Sequence, residues 1–246
     1  MKRRLFLATS LSAALAGCSA IGTKLNDNPG FHKVLGAVEP LDRALIGTHG
    51  LAREYPASAI SATFPLDSLP MPMDDYYMRV VNDRYRTFAL RIDGAVERPL
   101  ALSYGTLQKL AHRTQITRHD CVEGWSAVAQ WSGARLGDVL ALVRPSAAAR
   151  YVVFHGMDRD DQGTPYYESL DLHQAAHPQA LLAIGMNGKT LSPEHGGPVR
   201  LRVPTQLGYK SAKWVRHIEL VGSLAHVGAG KGGYWEDQGY EWYAGI

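Results

Sequence analysis

Cysteine is scarce in this chain of 246 residues, which carries two, Cys18 and Cys121. Two cysteines exclude a disulfide-rich scaffold, a four-cysteine zinc site and a cysteine-ligated iron–sulfur cluster within one chain. No CxxCH occurs, so covalent c-type haem is excluded too. The apolar stretch near the start, from Leu5 to Ala16, is too short to span a bilayer. No repeat of solenoid period is present. Apolar residues make up 46% and charged residues 20%, which fits neither a disordered tail nor a multispan membrane protein.

Charge of one sign is also nearly absent. The formal net charge is +3, and Lys2, Arg3 and Arg4 carry that whole excess. Removing them from the 26 basic residues leaves 23, against 23 acidic ones. The same three residues form the basic start of a segment, MKRRLFLATSLSAALAGC, that ends in the lipobox-like Leu15-Ala16-Gly17-Cys18. Arg3-Arg4-Leu5-Phe6-Leu7 also resembles the core of a twin-arginine signal. Residues 1–17 are therefore predicted to be a lipoprotein signal peptide, with Cys18 the lipidated residue. The expected location is the periplasmic face of the cell envelope, held by that lipid. A formally neutral mature chain removes the hint of nucleic-acid binding that the basic balance gave.

Residues 18–74 read as a lipid-anchored tether and N-terminal wrap. SAIGTKLNDNPG is polar and flexible, Phe31 to Glu54 has near-helical apolar spacing broken by Pro40, and residues 56–74 are proline-rich. Residues 75–246 read as one α+β domain of mixed sheets with short helices. Strands are predicted at Phe88–Ile92, Gln115–His119, Tyr151–His155, Leu181–Met186, Val199–Val203 and Val215–Val221. Helices are predicted at Thr106–Ala111, Leu136–Val143 and Leu172–Ala176. Asp93-Gly94, Asn187-Gly188 and Gly196-Gly197-Pro198 mark turns.

Cys121 lies in RHDCVEGWSAVAQW, after a strand-like run. A lone cysteine is most often a small buried hydrophobe. Here Arg118 and His119 precede it, Glu123, Gly124 and Ser126 make a polar loop, and Trp125 and Trp131 could wall a pocket. A thiolate beside cations suits a soft metal or a nucleophile, and the residues alone leave the buried and functional readings open. Arg200, Arg202, Lys210, Lys213 and Arg216 concentrate positive charge, either as a solvated strand face or as an anion site. The small turn from Gly208 to Lys213, with its lysines and N–H groups, suits a phosphate.

Three other patterns fail on context. The GxGxxG of Gly228–Gly233 has only thirteen residues after it, too few for a dinucleotide-binding unit. His173 and His177 share a predicted helix face, but no third zinc ligand accompanies them, so a solvated face is expected. Ser126 lacks the second glycine of a hydrolase elbow.

Read together, FALRIDGAVERPL (88–100), RHDCVEGWSAVAQWSGARLGDVL (118–140), YVVFHG (151–156), LLAIGMNGKTLSPEHGGPVRLRVPTQLGYKSAKWV (181–215) and GGYWEDQGYEWYAGI (232–246) resemble the sulfite oxidase family of molybdopterin enzymes. The likeness is to its small stand-alone bacterial members, on the methionine-sulfoxide-reducing periplasmic branch. That resemblance implies a sulfite-oxidase-type mixed α+β fold and one molybdenum bound by molybdopterin. It makes Cys121 the metal ligand and catalytic residue. It carries Tyr76, Tyr77, Gly156, His195, Arg200, Ser211, Ala212 and Lys213 over as cofactor contacts. Where sulfite-oxidising relatives have Asn-His after an arginine, this chain reads Arg79-Val80-Val81. The implied activity is two-electron oxygen-atom transfer, with reduction of a small-molecule S-oxide expected. Sulfite dehydrogenation, or a non-catalytic lipoprotein retaining the fold, are the alternatives. With no haem in the chain, a separate redox partner is implied, either a membrane haem protein or a soluble cytochrome.

Overall fold

The computed structural model describes residues 50–66 and 69–246. The expected signal segment, Cys18, the tether and the helical spacing up to His49 lie outside the described residues. Two five-stranded sheets make up the structure. In the first, β1 (Ala89–Gly94), β2 (Leu100–Ser103), β5 (Tyr151–Arg159), β6 (Pro165–Asp171) and β10 (Val215–Val221) take the order β2-β1-β10-β5-β6. Its β1–β10 pair is parallel and its other pairs are antiparallel. The second runs β3-β4-β7-β8, with β9 also on β7. These are β3 (His112–Asp120), β4 (Ser126–Arg135), β7 (Leu181–Met186), β8 (Lys189–Thr190) and β9 (Arg200–Arg202). This is the mixed α+β arrangement expected from the sequence.

Local chemistry accounts for most elements. Helix α1 (Asp75–Asn82) starts where the Asp74 carboxylate accepts from the Tyr77 amide at 3.0 Å, and it buries Tyr77 and Val80. Helix α2 (Tyr104–Lys109) is capped in the same way by Ser103. Helix α3 (Leu136–Val143) buries Leu136, Val139, Leu140 and Val143, the stripe that its spacing predicts, and ends at Arg144 with φ 53°. Asn187 and Gly188, both at positive φ, turn β7 into β8. Predicted bounds match those of α3, β7 and β10. Strands β2, β4, β6 and β8 were not predicted, nor was α1, nor the one-turn helix α5 (Tyr234–Asp237).

One reading is corrected here. The one-turn helix α4 (Leu172–Ala175), closed by an Asp171–Gln174 capping box, ends before His177. His177 is buried, so the two histidines do not share a solvated helix face.

The main core lies on the first sheet, around Leu90, Ile92, Phe154, Leu170 and Ile218, with the stripe of α3 packed into it. A second cluster of Ala129, Trp131, Leu181, Ala183 and Leu191 belongs to the second sheet and has Phe64 packed against it. The second sheet has an unusually polar inner side. Gln115, Thr117 and His119 of β3 are buried, and all three residues of β9 are buried, including Arg200 and Arg202.

A Cβ on Gly133 would lie 2.0 Å from the Leu182 carbonyl oxygen and 2.8 Å from the Ala183 Cα, at the irregularity between β4 and β7. Gly133→Ala is expected to destabilise the fold by about 1–3 kcal/mol in chemical unfolding, and an unchanged midpoint would refute the close approach. On the first sheet, His155 and His217 stack at 4.8 Å and reach Glu219 (3.1 Å) and Asp93 (2.7 Å). Burial, then His217, holds His155 below the ordinary imidazole range, against the pull of Glu219. Burial raises Asp93, but His217 and Arg91 outweigh it and hold the carboxyl low. The unfolded chain therefore takes up both protons at higher pH than the folded one. Stability should fall as pH drops below about 6.5 and fall further through the carboxylate range. A thermal midpoint that is flat from pH 7 to 4 would contradict this.

Candidate functional site

The β3–β4 hairpin presents the thiol. Cys121 donates its amide to the Trp125 carbonyl (2.9 Å) and accepts from the Gly124 amide (3.1 Å), with Gly124 at φ 90°. This tight loop keeps Cys121 half-buried beside Asp120, whose carboxylate accepts from Ser126 Oγ at 2.6 Å. The Trp125 ring stacks on buried His119 at 5.5 Å. Behind His119 sits Gly208, where a Cβ would be 2.5 Å from the imidazole Nε2. The absence of a side chain there lets the 208–210 turn close against the hairpin.

Arg200 and Arg202 project from β9 on one side, while Leu201 joins the main core on the other. Both arginines are fully buried. Their guanidinium carbons lie 5.3 and 5.7 Å from the Trp131 ring centroid. Arg200 donates to the His195 carbonyl (3.3 Å), and Arg202 donates to Thr117 Oγ1 (3.3 Å), Ser211 Oγ (3.5 Å) and the Arg118 carbonyl. The solvated-face reading of this basic strand is therefore wrong, because Trp131 and the segment around His195 cover it. Lys210 also leaves the predicted phosphate turn. It is fully buried against Glu168 and Glu236 and faces no anion site.

Of the other predicted residues, Ser211 and Ala212 lie against β9, Tyr77, Gly156 and His195 gather on the far wall, and Lys213 runs between the two. Tyr77 donates its hydroxyl to the Gly197 carbonyl at 2.8 Å, and burial holds the phenol protonated far above the usual range. A Cβ on Gly196 would meet the Lys213 side chain at 2.9 Å. One on Gly156 would meet Asp158, with the Lys213 carbonyl oxygen 3.4 Å away. Lys213 is itself buried, its amine 4.3 Å from the Trp214 ring centroid. Trp214 adopts φ 49°, rare for so bulky a residue. It is held there by bonds from its amide to Gly196 (3.1 Å) and from its indole to Pro193 (2.7 Å). Ser211 Oγ accepts from the Val203 amide (3.2 Å), and the Ala212 carbonyl accepts from Leu201 (2.8 Å). Tyr76 is half-buried against the main core, with Arg216 4.1 Å over its ring. It shares with Gly156 a groove of about 620 Å³ that also includes Met157 and Arg159. Arg79 is exposed on α1.

Phe64 joins the two walls and was not singled out from the sequence. Its ring lies 5.4–5.7 Å from those of His119, Trp125, Trp131 and His195, and 6.0 Å from the Arg200 guanidinium. His195 Nε2 is 3.3 Å from the Phe64 carbonyl oxygen. Nothing in the proline-rich run around Phe64 marks it, since its role comes from contacts with residues 55–136 positions away. Trp131 was expected as a possible pocket wall and Arg202 as part of a possible anion site, but neither was carried over as a cofactor contact.

What this arrangement could hold follows from its donors. Among the described residues, no group of three or more His, Cys, Asp or Glu side chains could hold a metal ion. A metal at Cys121 must then take most of its ligands from a bound organic group. The buried guanidiniums and Lys213 suit an anionic part of that group. The buried Trp131 Nε1–H finds no acceptor among the described residues, a deficit of about 1–3 kcal/mol that a ligand oxygen would remove. A soft thiol, buried cations and an open indole donor fit a molybdopterin.

Comparison with known proteins gives the same chemistry. A family described as "Oxidoreductase molybdopterin binding domain" matches residues 77–225. The chain is 36% identical over 248 residues to the "Putative protein-methionine-sulfoxide reductase subunit YedZ1" of Azospira oryzae, covering 99% of this chain and 87% of that one. It is 38% identical over 144 residues to the "Protein-methionine-sulfoxide reductase catalytic subunit MsrP" of Xanthomonas axonopodis pv. citri, covering 54% of this chain and 45% of that one. Among solved structures, the sulfane dehydrogenase SoxCD of Paracoccus pantotrophus superposes with a TM-score of 0.51 at 23% identity. That match covers 56% of this chain and 39% of that one, a likeness of fold.

Phe64→Ala should open the space between the two walls at a cost of about 2 kcal/mol, below that of a fully buried phenylalanine. In cofactor-free protein, the expected readouts are red-shifted tryptophan emission and faster alkylation of Cys121, mapped by mass spectrometry. Labelling at the wild-type rate would show that the ring does not shield the thiol.

Proposed function

The chain belongs to the family of oxidoreductases with a molybdopterin-binding domain, and from that premise we propose that it reduces an S-oxide of the methionine sulfoxide class at the cell envelope. The enzyme is a molybdopterin-dependent oxidoreductase, and its cofactor is molybdenum bound to molybdopterin. The S-oxide substrate is supported by the names of the Azospira and Xanthomonas relatives. The observation that carries the site is the half-buried Cys121 thiol on a tight loop, linked through Trp125 and Phe64 to buried Arg200, and from Phe64 through Trp131 to buried Arg202. When bound, the molybdenum supplies the two-electron chemistry that takes one oxygen atom from sulfur, so sulfoxide, two protons and two electrons give thioether and water.

The protein's part is to bind, orient and keep dry. Cys121 offers a thiolate to the metal, and its hairpin fixes the direction of that sulfur. Arg200, Lys213 and the backbone of Ser211 and Ala212 hold the anionic end of the cofactor. Arg202 and Trp131 line the same wall, where low polarity strengthens each charged hydrogen bond. His195, Tyr77 and Gly156 shape the opposite side, Tyr77 as a phenol that stays protonated throughout the working pH range. Tyr76 borders the groove next to Gly156. Trp125 and Phe64 offer aromatic surface to an apolar thioether.

The electrons come from a separate redox partner, a membrane haem protein or soluble cytochrome, since the sequence carries no haem motif. A lipid on Cys18 holds the enzyme on the periplasmic side near such a donor. Supporting this are the lipobox-like segment and a neutral body that needs a covalent anchor rather than a basic patch to stay at a membrane.

Protein purified from a molybdenum-sufficient host should contain molybdenum and release a pterin fluorophore on oxidative extraction. With reduced viologen it should consume methionine sulfoxide, and Cys121→Ser should abolish turnover while pterin stays bound. Sulfite-dependent dye reduction with no sulfoxide turnover would reverse the assigned direction. Folded protein without molybdenum or pterin would overturn the reading.

A further inference from the structure

Lys210 immediately precedes the Ser211–Lys213 stretch that the proposed function places on the cofactor. It is fully buried and gripped by two carboxylates that are also buried, Glu168 of β6 and Glu236 of α5, the latter at 2.7 Å. The Trp242 ring centroid lies 5.3 Å from its ammonium. The backbone closes tightly over this cluster. A Cβ on Gly233 would be 2.0 Å from Glu236 Oε2 and 2.9 Å from Glu168 Oε1. Burial drives the Glu168 carboxyl well above the carboxylate range, Lys210 opposes this and Glu236 adds to it.

Such a cluster is a poor device for stability alone. Taking three charged groups out of water costs more than apolar packing of the same volume, and apolar replacement of buried ion clusters is often neutral or stabilising. It does define geometry. Lys210 cannot shift without breaking two charged hydrogen bonds, and its neighbours are tied to the same segment. The Leu207 amide donates to the Ala244 carbonyl (2.9 Å), Tyr209 Oη to the Glu241 carbonyl (2.7 Å) and the Ile246 amide to the Thr205 carbonyl (3.1 Å). On the other side, Tyr166 Oη donates to the Tyr209 carbonyl at 2.6 Å. Residues 205–210 are therefore fixed from outside the cofactor wall, and the chain leaves this anchored point directly into Ser211.

We propose that Lys210, Glu168 and Glu236 act as a positioning clamp that sets the Ser211–Lys213 backbone against the anionic end of the cofactor. None of the three touches the reacting atoms. Their effect passes through the three residues that follow Lys210, and the inference rests on the cofactor placement proposed above.

The test compares holoenzyme from a molybdenum-sufficient host for wild type, Glu236→Ala, Glu236→Gln and the apolar triple variant K210M/E168L/E236L. The readouts are molybdenum per protein, the rate of pterin loss in buffer, the molybdenum(V) electron paramagnetic resonance signal and the thermal midpoint. Glu236→Ala should release pterin about tenfold faster, the factor expected for one lost charged hydrogen bond, and shift the resonance signal. Glu236→Gln, which keeps an oxygen acceptor for Lys210, should restore both. The triple variant should unfold at or above the wild-type temperature yet lose pterin faster, which separates positioning from stability. A loaded wild type alongside Glu236→Ala and triple variants with wild-type retention and signal would overturn the clamp and leave the proposed function standing. If Glu236→Ala does not fold, the triple variant decides by the same criteria. A wild type that carries no molybdenum would overturn both.

Discussion

The burial of two like charges on one tryptophan is the constraint around which the second sheet is organised. Arg200 and Arg202 leave β9 two residues apart, reach the same indole and are both sealed from water. Guanidinium groups this close repel each other, and their desolvation costs several kcal/mol per ion before compensation. The fold compensates with oxygen acceptors drawn from three places: the His195 carbonyl, Thr117 Oγ1 and the Arg118 carbonyl of β3, and Ser211. The polar inner face of β3 follows from this need. A strand that buried valine at position 117 would leave Arg202 without one of its acceptors.

The same constraint explains why the thiol sits where it does. The Arg118 carbonyl that receives Arg202 is three residues before Cys121, so a hydrogen bond within the site also fixes the base of the hairpin. His119, between them, is packed by Trp125 on one side and Gly208 on the other. The thiol loop, the arginine strand and the 208–213 turn are thus locked to one another by short-range contacts. That is what holding a multidentate ligand at several points requires, because each point loses value if the others move independently.

Sequence reasoning read the site and the fold to different depths, for physical reasons. The stripe of α3 and the turn at Asn187-Gly188 are local properties, and they were legible, whereas Asp93-Gly94, expected as a turn, forms the paired end of β1. Cys121 was legible as an anomaly, a polar loop where an apolar continuation would be expected, and the resemblance gave that anomaly a role. Strand β4 was hidden because Ala127, Ala129 and Gly133 are small residues whose burial depends on partners far away. Lys210 misled, since a lysine in a turn looks like an anion binder until two distant glutamates are found closed upon it. Phe64 carried no signal, because an isolated phenylalanine among prolines gains meaning only from the rings that surround it.

Charge bookkeeping by composition missed the distribution that matters. Beyond residue 17 the chain is formally neutral, yet four of its cations, Arg200, Arg202, Lys210 and Lys213, are buried within fourteen residues of sequence. They divide into two kinds. Lys210 is neutralised by carboxylates from β6 and α5, so its charge is spent inside the protein on geometry. Arg200 and Arg202 meet neutral carbonyl and hydroxyl oxygens in the contacts described above, which orient each guanidinium. The work of bringing these two cations together has been done by folding. A ligand that binds this folded arrangement and not the unfolded chain stabilises the fold by mass action. The cost of assembling the cations thereby becomes part of the selectivity for an anionic cofactor.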